Sequence, residues 1–289
     1  MLLIADSGAT KTNWILADTK TQNIIGEYET MGLSPFFVTE EQVLNELGGN
    51  PNLAAFAPVV EDIYFYGAGC SSEERCTKMR NIFSKFFTKS RITVEHDLLG
   101  AAIALCHNQS GIACILGTGS NAVYYDGKNL FEETPSLDYI LGDEGSGTHI
   151  GKMLVRLYMY KRLPKDLHDD FTANYEVTKE IVLAKIYKES NPKRYLASFA
   201  RFAGKHVKHP FIHRLVQDCF SEFLEYRVCI YPQSKYTPVS FAGSVAHYFS
   251  DILTECVADK GLIKGRIIQK PIYELLNYYF KNTATDIGR

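Results

Sequence analysis

Asp6-Ser-Gly-Ala-Thr-Lys-Thr12 and Leu116-Gly-Thr-Gly-Ser-Asn121 are two short runs of small and hydroxyl residues, each set between apolar stretches. Residues 2–5 and 14–17 flank the first run, and residues 112–116 and 122–125 flank the second. An apolar run, a tight small-residue turn and a second apolar run predict a β-hairpin. The two halves of the chain therefore open in the same way, which is a weak internal repeat. A duplicated α/β domain with a cleft between its halves fits this pattern, with a boundary near residue 108. Domain one is then 1–108, and domain two is 109–289 with a helical insertion.

Working outward, residues 24–30 extend the first hairpin into a meander. Strands are expected at 63–66 and 92–95, and helices at 39–47, 71–87 and 98–105. The 71–87 helix opens on Ser-Ser-Glu-Glu, whose hydroxyl and acids suit a helix start. In the second half Asp126-Gly127 is a hairpin turn signal. Beyond residue 147 the spacing turns helical, at 150–160, 177–188, 195–203 and 211–231. A strand at 239–242, a helix at 245–258, a strand at 266–268 and a helix at 272–281 complete the chain.

Of 289 residues, 46% are hydrophobic and 22% charged, and the net charge is −2. No long run of one sign occurs, which argues against nucleic acid or an anionic membrane as the main partner. The first six residues lack the basic region of a signal peptide, and no stretch reaches membrane-span length. Seven cysteines, an odd number without a Cys-x-x-Cys pair, read as free thiols of a reducing, cytoplasmic setting. His206, His209 and His213 straddle Pro210 and read as solvated or packed rather than metal-ligating.

Five segments could carry chemistry. In the first run Gly8 allows close backbone approach. The amides, Thr10, Lys11 and Thr12 could cradle phosphate oxygens, and Asp6 could hold Mg²⁺ through waters; the plainer reading is an ordinary hairpin turn. Thr118, Gly119 and Ser120 repeat the phosphate-cradling pattern. Asp97, at the end of a strand, could be a general base or only a helix N-cap. Asp143 and Glu144, in Leu141-Gly-Asp-Glu-Gly-Ser-Gly147, could accept hydrogen bonds from sugar hydroxyls, or could simply favour a helix N-terminus. Gly243-Ser244 offers a flat surface for adenosine, or a plain β–α turn. No P-loop, His-Glu-x-x-His or Gly-x-Ser-x-Gly motif is present.

Taken together and in order, these segments resemble the BadF/BadG/BcrA/BcrD ATPase family and, within it, the N-acetylglucosamine kinases. The likeness runs from residue 2 to about 280. It implies two ribonuclease-H-like, actin-like ATPase domains with a central cleft, binding ATP and Mg²⁺ and phosphorylating an amino sugar. By position it implies phosphate contacts at Thr10 and Thr118, a base toward the sugar 6-hydroxyl at Asp97, and sugar contacts at Ser120, Asn121 and Asp143. It also implies adenosine contacts at Gly243 and Ser244, a looser nucleotide contact at Ala197, and a homodimer. Two departures touch the sugar side. Phe36 stands where the animal enzyme has an asparagine that touches the sugar, and Pro-Ser-Leu-Asp at 135–138 replaces Gly-Gly-Trp-Gly. Related kinases take N-acetylmuramic acid or glucosamine, so either sugar is also a candidate substrate. The resemblance admits two further roles: an ATPase that activates a 2-hydroxyacyl-CoA dehydratase-type enzyme, and a non-catalytic sugar or nucleotide sensor.

Overall fold

A computed structural model describes residues 1–189 and 191–286. The chain runs β1 (Leu2–Ser7), β2 (Lys11–Asp18), β3 (Asn23–Met31), α1 (Glu40–Gly49), α2 (Pro51–Phe56), β4 (Asp62–Gly67), α3 (Glu73–Phe86), β5 (Arg91–His96) and α4 (Asp97–Cys106). It continues with β6 (Gly111–Leu116), β7 (Ser120–Tyr125), β8 (Leu130–Phe131), α5 (Asp138–Leu141), α6 (Gly147–Met159), α7 (Lys165–Asn174), α8 (Lys179–Tyr187), α9 (Pro192–Ser198), α10 (Ala200–Lys205) and α11 (Pro210–Phe223). It ends with β9 (Val239–Ala242), α12 (Ser244–Tyr248), α13 (Ser250–Asp259), β10 (Lys264–Ile268) and α14 (Ile272–Asp286).

Two compact units result. One is residues 1–108 together with the stretch from Lys270 onward, and the other is Gln109–Gln269. The sheet of the first unit has the order β3-β2-β1-β4-β5. Its meander β1–β3 is antiparallel, while β1/β4 and β4/β5 are parallel. The sheet of the second unit has the order β10-β9-β6-β7-β8, with the same split between an antiparallel meander and parallel strands. Counted from its own first strand, each sheet reads 3-2-1-4-5. The repeat legible in two glycine-hydroxyl runs is thus a repeat of whole-sheet topology.

In the first unit β1 lies between two neighbours and is buried along almost its whole length. Trp14 of β2 anchors the core against Phe65 and Phe83, and its indole N–H donates to Thr30 Oγ1 at 2.9 Å. Ser72 caps α3, which turns Cys76, Met79, Ile82 and Phe83 inward. Helix α4 is apolar nearly all round, from Leu98 to Leu105, and such a helix must be covered. Helix α14 supplies cover, packing on α4 and β1. Tyr279 stacks on Tyr64 with centroids 3.9 Å apart, and its hydroxyl lies 2.5 Å from that of Tyr66. Sequence spacing places 109–289 in one domain; in the structure the stretch from Lys270 groups with the first unit, where Tyr64, Tyr66 and α4 cover the apolar face of α14.

The second unit builds its core from β6, α6, α11 and α13, with Phe171, Phe202, Phe220, Phe223 and Phe241 buried. Two expected helices are each broken. The 195–203 stretch divides at Phe199 into α9 and α10, and the 245–258 stretch divides at Phe249 into α12 and α13; both phenylalanines are buried at the break. The 211–231 stretch is α11 followed by a wide π-turn over Leu224–Val228. Short α2, α5 and α7 have no counterpart in the sequence reading. No helix among the described residues is long and apolar enough to cross a membrane.

Candidate active site

In the first unit the strand register decides which acids meet. Asp6 of β1 lies level with Tyr66 of β4, and Tyr66 with Glu95 of β5. Asp6 and Asp97 therefore reach the same carboxyl end of parallel strands, the end at which open α/β sheets bind ligands. Asp97 is the first residue of α4, not its cap: His96 occupies the cap position without a side-chain capping bond. Asp97 Oδ1 accepts from Leu98 N at 3.0 Å and stands 3.1 Å from His96 Nε2. Burial raises the Asp97 carboxyl, against the pull of His96 and of nearby backbone amides. Asp6 is pushed up to about 7, by burial first and the charge of Asp97 second, with Lys11 drawing it down.

The turn between β1 and β2 is closed by Gly8 N donating to Lys11 O at 3.0 Å. A Cβ on Gly8 would meet nothing nearer than Lys11 O at 3.8 Å, so the protein leaves open space in front of it. Thr10 lies partly buried beside it. Lys11 Nζ reaches Glu29 on β3 at 2.9 Å, an exposed pair worth little that a competing anion can displace. Thr12 departs from expectation. It is fully buried; its hydroxyl donates to Met31 O at 2.9 Å and pairs with Ser7 Oγ at 2.7 Å. Thr12 therefore fastens the hairpin, and its inward side chain cannot contact phosphate. Alternation along β2 causes this: Thr12 points to the core face that Trp14 also occupies.

In the second unit the carbonyls of Gly117 and Thr118 accept from Gly147 N at 2.9 Å and Thr148 N at 3.1 Å, at the start of α6. Thr148 Oγ1 donates to Thr118 O as well, at 2.6 Å. In a trans peptide C=O and N–H point opposite ways, so the amides of Thr118 and Gly119 point away from α6. The two amides therefore share the side of the loop that faces away from α6, as an anion-binding loop requires. Gly243 has φ +121, and a Cβ there would lie 2.3 Å from Leu116 O. Ser244, next to it, is exposed at the start of α12. A Cβ on Gly147 would come within 3.5 Å of Gly117 O, Val245 and Ala197 together. Ala197, Gly243 and the 117–119 loop, far apart in sequence, are thereby neighbours.

The acidic loop sits beside the 117–119 loop. Asp143, at φ 58, is buried, and its Oδ1 accepts from Ser120 N at 3.0 Å. Lys193 of α9 stands 3.1 Å from Asp143 Oδ2 and 2.7 Å from Asp138 Oδ1. Gly119 must be glycine for this packing, since a Cβ would lie 2.8 Å from Asp143 Oδ1. Asn121 Oδ1 accepts from Ala122 N at 2.9 Å and from Arg227 Nη2. Ser120, Ser136, Leu137, Gly142, Asp143, Glu144 and Arg227 line one small pocket. Buried His149 accepts from Gly145 N at 3.1 Å, and burial drives its imidazole down to about 4, so it is neutral.

Neither a family model nor a curated protein matches the sequence. Among solved structures, a candidate N-acetylglucosamine kinase from Porphyromonas gingivalis superposes with a TM-score of 0.93 at 34% identity, over 98% of this chain and 100% of that one. The chain belongs to that family of sugar kinases. This sugar kinase also shares its fold with a candidate N-acetylglucosamine kinase from Chromobacterium violaceum, at TM-score 0.69 and 17% identity over 96% of this chain and 98% of that one. A ROK family glucokinase from Streptomyces griseus, in complex with glucose and AMPPNP, has TM-score 0.60 and 15% identity over 96% and 97% of the two chains. The architecture is the actin-like ATPase fold.

Arg227 and Lys193 of the kinase lie outside the motifs that mark the site in the sequence. Arg227 carried a signal: Ile212, Leu215, Val216, Cys219, Phe220, Phe223 and Leu224 form a helical apolar stripe, and Arg227 takes its next place. Lys193 carried none, since its partners are fifty residues upstream and only the fold brings them near.

Proposed function

We propose that this kinase transfers the γ-phosphate of ATP to the 6-hydroxyl of an amino sugar, N-acetylglucosamine ahead of glucosamine or N-acetylmuramic acid. The full-length likeness at 34% identity to a candidate N-acetylglucosamine kinase carries the reading. The grouping with the BadF/BadG/BcrA/BcrD ATPases is part of the same proposal and rests on the motif order.

Mg²⁺ fits the donor set. Asp6 and Asp97 bring two carboxylates to one strand end, oxygen donors of the kind that hold Mg²⁺ together with its retained waters. Asp6 is the residue that would hold the ion, which when bound neutralises charge on the phosphates. Asp97 is assigned as general base: it takes the proton of the sugar hydroxyl while that oxygen bonds to phosphorus and ADP leaves. Burial supports this role by raising the carboxyl toward the range of a useful base. Gly8, Thr10 and Lys11 of the first unit are assigned to phosphate oxygens, and so are the backbone amides of Thr118 and Gly119 of the second. Ala197, Gly243 and Ser244 are assigned to adenosine, and Ser120, Asn121, Asp143 and Glu144 to the sugar.

A coupled ADP-release assay over a panel of amino sugars tests the reading. Sugar-dependent release, fastest with an amino sugar, is expected. Equal ADP release with and without every sugar in the panel would overturn it.

A further inference from the structure

Arg227 is 7% exposed, yet among the described residues no carboxylate lies within ion-pair distance of it. Its guanidinium donates instead to two neutral acceptors, Pro135 O at 2.7 Å and Asn121 Oδ1. A buried cation held only by neutral acceptors is costly and needs a reason. Here it sits in a π-turn, a feature frequent at functional sites. The pocket it lines also contains Ser120, which is 8% exposed and whose buried hydroxyl has no hydrogen-bond partner among the described residues.

The consequence falls on Asn121. Arg227 and Ala122 N both donate to its amide oxygen. An amide so held cannot flip, and only its two Nδ2 hydrogens remain to meet a ligand. We propose that Arg227 is a positioning residue that fixes Asn121 as a pure hydrogen-bond donor, so that the sugar subsite selects an N-acyl sugar over a free amino sugar. An acyl carbonyl accepts from Nδ2, whereas an ammonium group has only donors and finds no partner there. This inference rests on the proposed sugar role of Asn121 and Ser120. The carboxylates near the pocket do not reverse the preference at Asn121: Asp143 is paired with Lys193, as is Asp138, and Glu144 is the remaining acid of the lining.

The test titrates N-acetylglucosamine and glucosamine into wild type, Arg227→Lys, Arg227→Gln and Asn121→Asp by calorimetry, alongside ADP-release kinetics. Wild type is expected to bind the N-acetyl sugar more tightly. Arg227→Gln should raise its KM about tenfold, the equivalent of one charge-assisted hydrogen bond. The KM for ATP should not move, kcat should stay close to wild type, and Arg227→Lys should recover part of the loss. Asn121→Asp replaces donors by acceptors beside Arg227, so it keeps a partner and should reverse the order of the two sugars. If Arg227→Gln does not fold, Arg227→Lys and Asn121→Asp carry the test. The proposal falls if wild type prefers glucosamine or binds neither sugar, if the variants weaken both sugars equally, or if kcat falls with KM unchanged. Arg227-dependent sugar binding without any ADP release would leave the subsite standing and sink the kinase reading. Turnover with unchanged selectivity in the variants would do the reverse.

Discussion

At the scale of single residues, the most exposed assignment is Asp97. The residue does not hold the cap position of α4, which His96 occupies, although one of its oxygens accepts from Leu98 N in the first turn. Asp97→Asn keeps the shape and removes the base, so kcat should fall by roughly 10²–10⁴-fold. Nucleotide affinity, measured by calorimetry, should stay near wild type; near-normal turnover would remove Asp97 from the mechanism. Gly243 tests a different physics. At φ +121 and with Leu116 O 2.3 Å from where a Cβ would sit, alanine is both strained and crowded. Gly243→Ala should cost on the order of 1–3 kcal/mol, read as a lower urea midpoint at unchanged slope. Both positions were visible as motif members in the sequence. Thr12 was visible too and was misread, because composition does not say which way a strand residue faces, and its hydroxyl turned to Met31 and Ser7.

At the scale of elements, α9 acts on a loop fifty residues before it. Lys193 joins Asp138 and Asp143, and Asp143 in turn holds Ser120 at the start of β7. Removing one partner of a buried pair costs roughly 3–5 kcal/mol; Lys193 is a quarter exposed, so Lys193→Met should cost less, about 2 kcal/mol. The same variant should raise the KM for sugar more than the KM for ATP, because the loop it frees is the acidic one. An equal change in both would place Lys193 in general stability alone. The broken helices teach the same lesson about elements. Residues 195–203 and 245–258 have helical spacing throughout, yet Phe199 and Phe249 are buried at breaks that spacing does not foretell.

At the scale of the whole molecule, buried His149 and half-buried Asp6 give stability opposite dependences on pH. His149 holds a folded value of about 4 against 6.5. Between those values the unfolded chain takes up a proton that the folded chain refuses, so this contribution is full above pH 6.5 and is lost as pH falls toward 4. It amounts to about 3 kcal/mol at most, from 1.36 kcal/mol per pH unit. Asp6 acts in reverse: with a folded value near 7 against 3.8, it favours the folded state at low pH and loses that contribution as pH rises from about 4 to 7. His149→Asn retains an acceptor for Gly145 N. In thermal melts it should flatten the acid side of the profile while leaving the side above pH 7 unchanged. An acid limb as steep as that of wild type would overturn the assignment.

The sequence by itself determined that the chain is a repeated α/β protein. Alternating apolar runs, turn residues and the two glycine-hydroxyl loops are local features, and local features are written in neighbouring residues. It also determined that Asp6, Asp97, Thr118 and Asp143 are the residues to examine. Only the tertiary structure decided how they combine. Strand register brought Asp6 and Asp97 to one sheet end, where the charge of Asp97 adds to burial in raising Asp6. Packing turned Thr12 inward, joined Lys193 to Asp143, buried Arg227 against Asn121 and folded α14 back over α4. Each of these depends on which distant segments share a face. A linear pattern records how often a residue type recurs along the chain, and not which partner lies across from it.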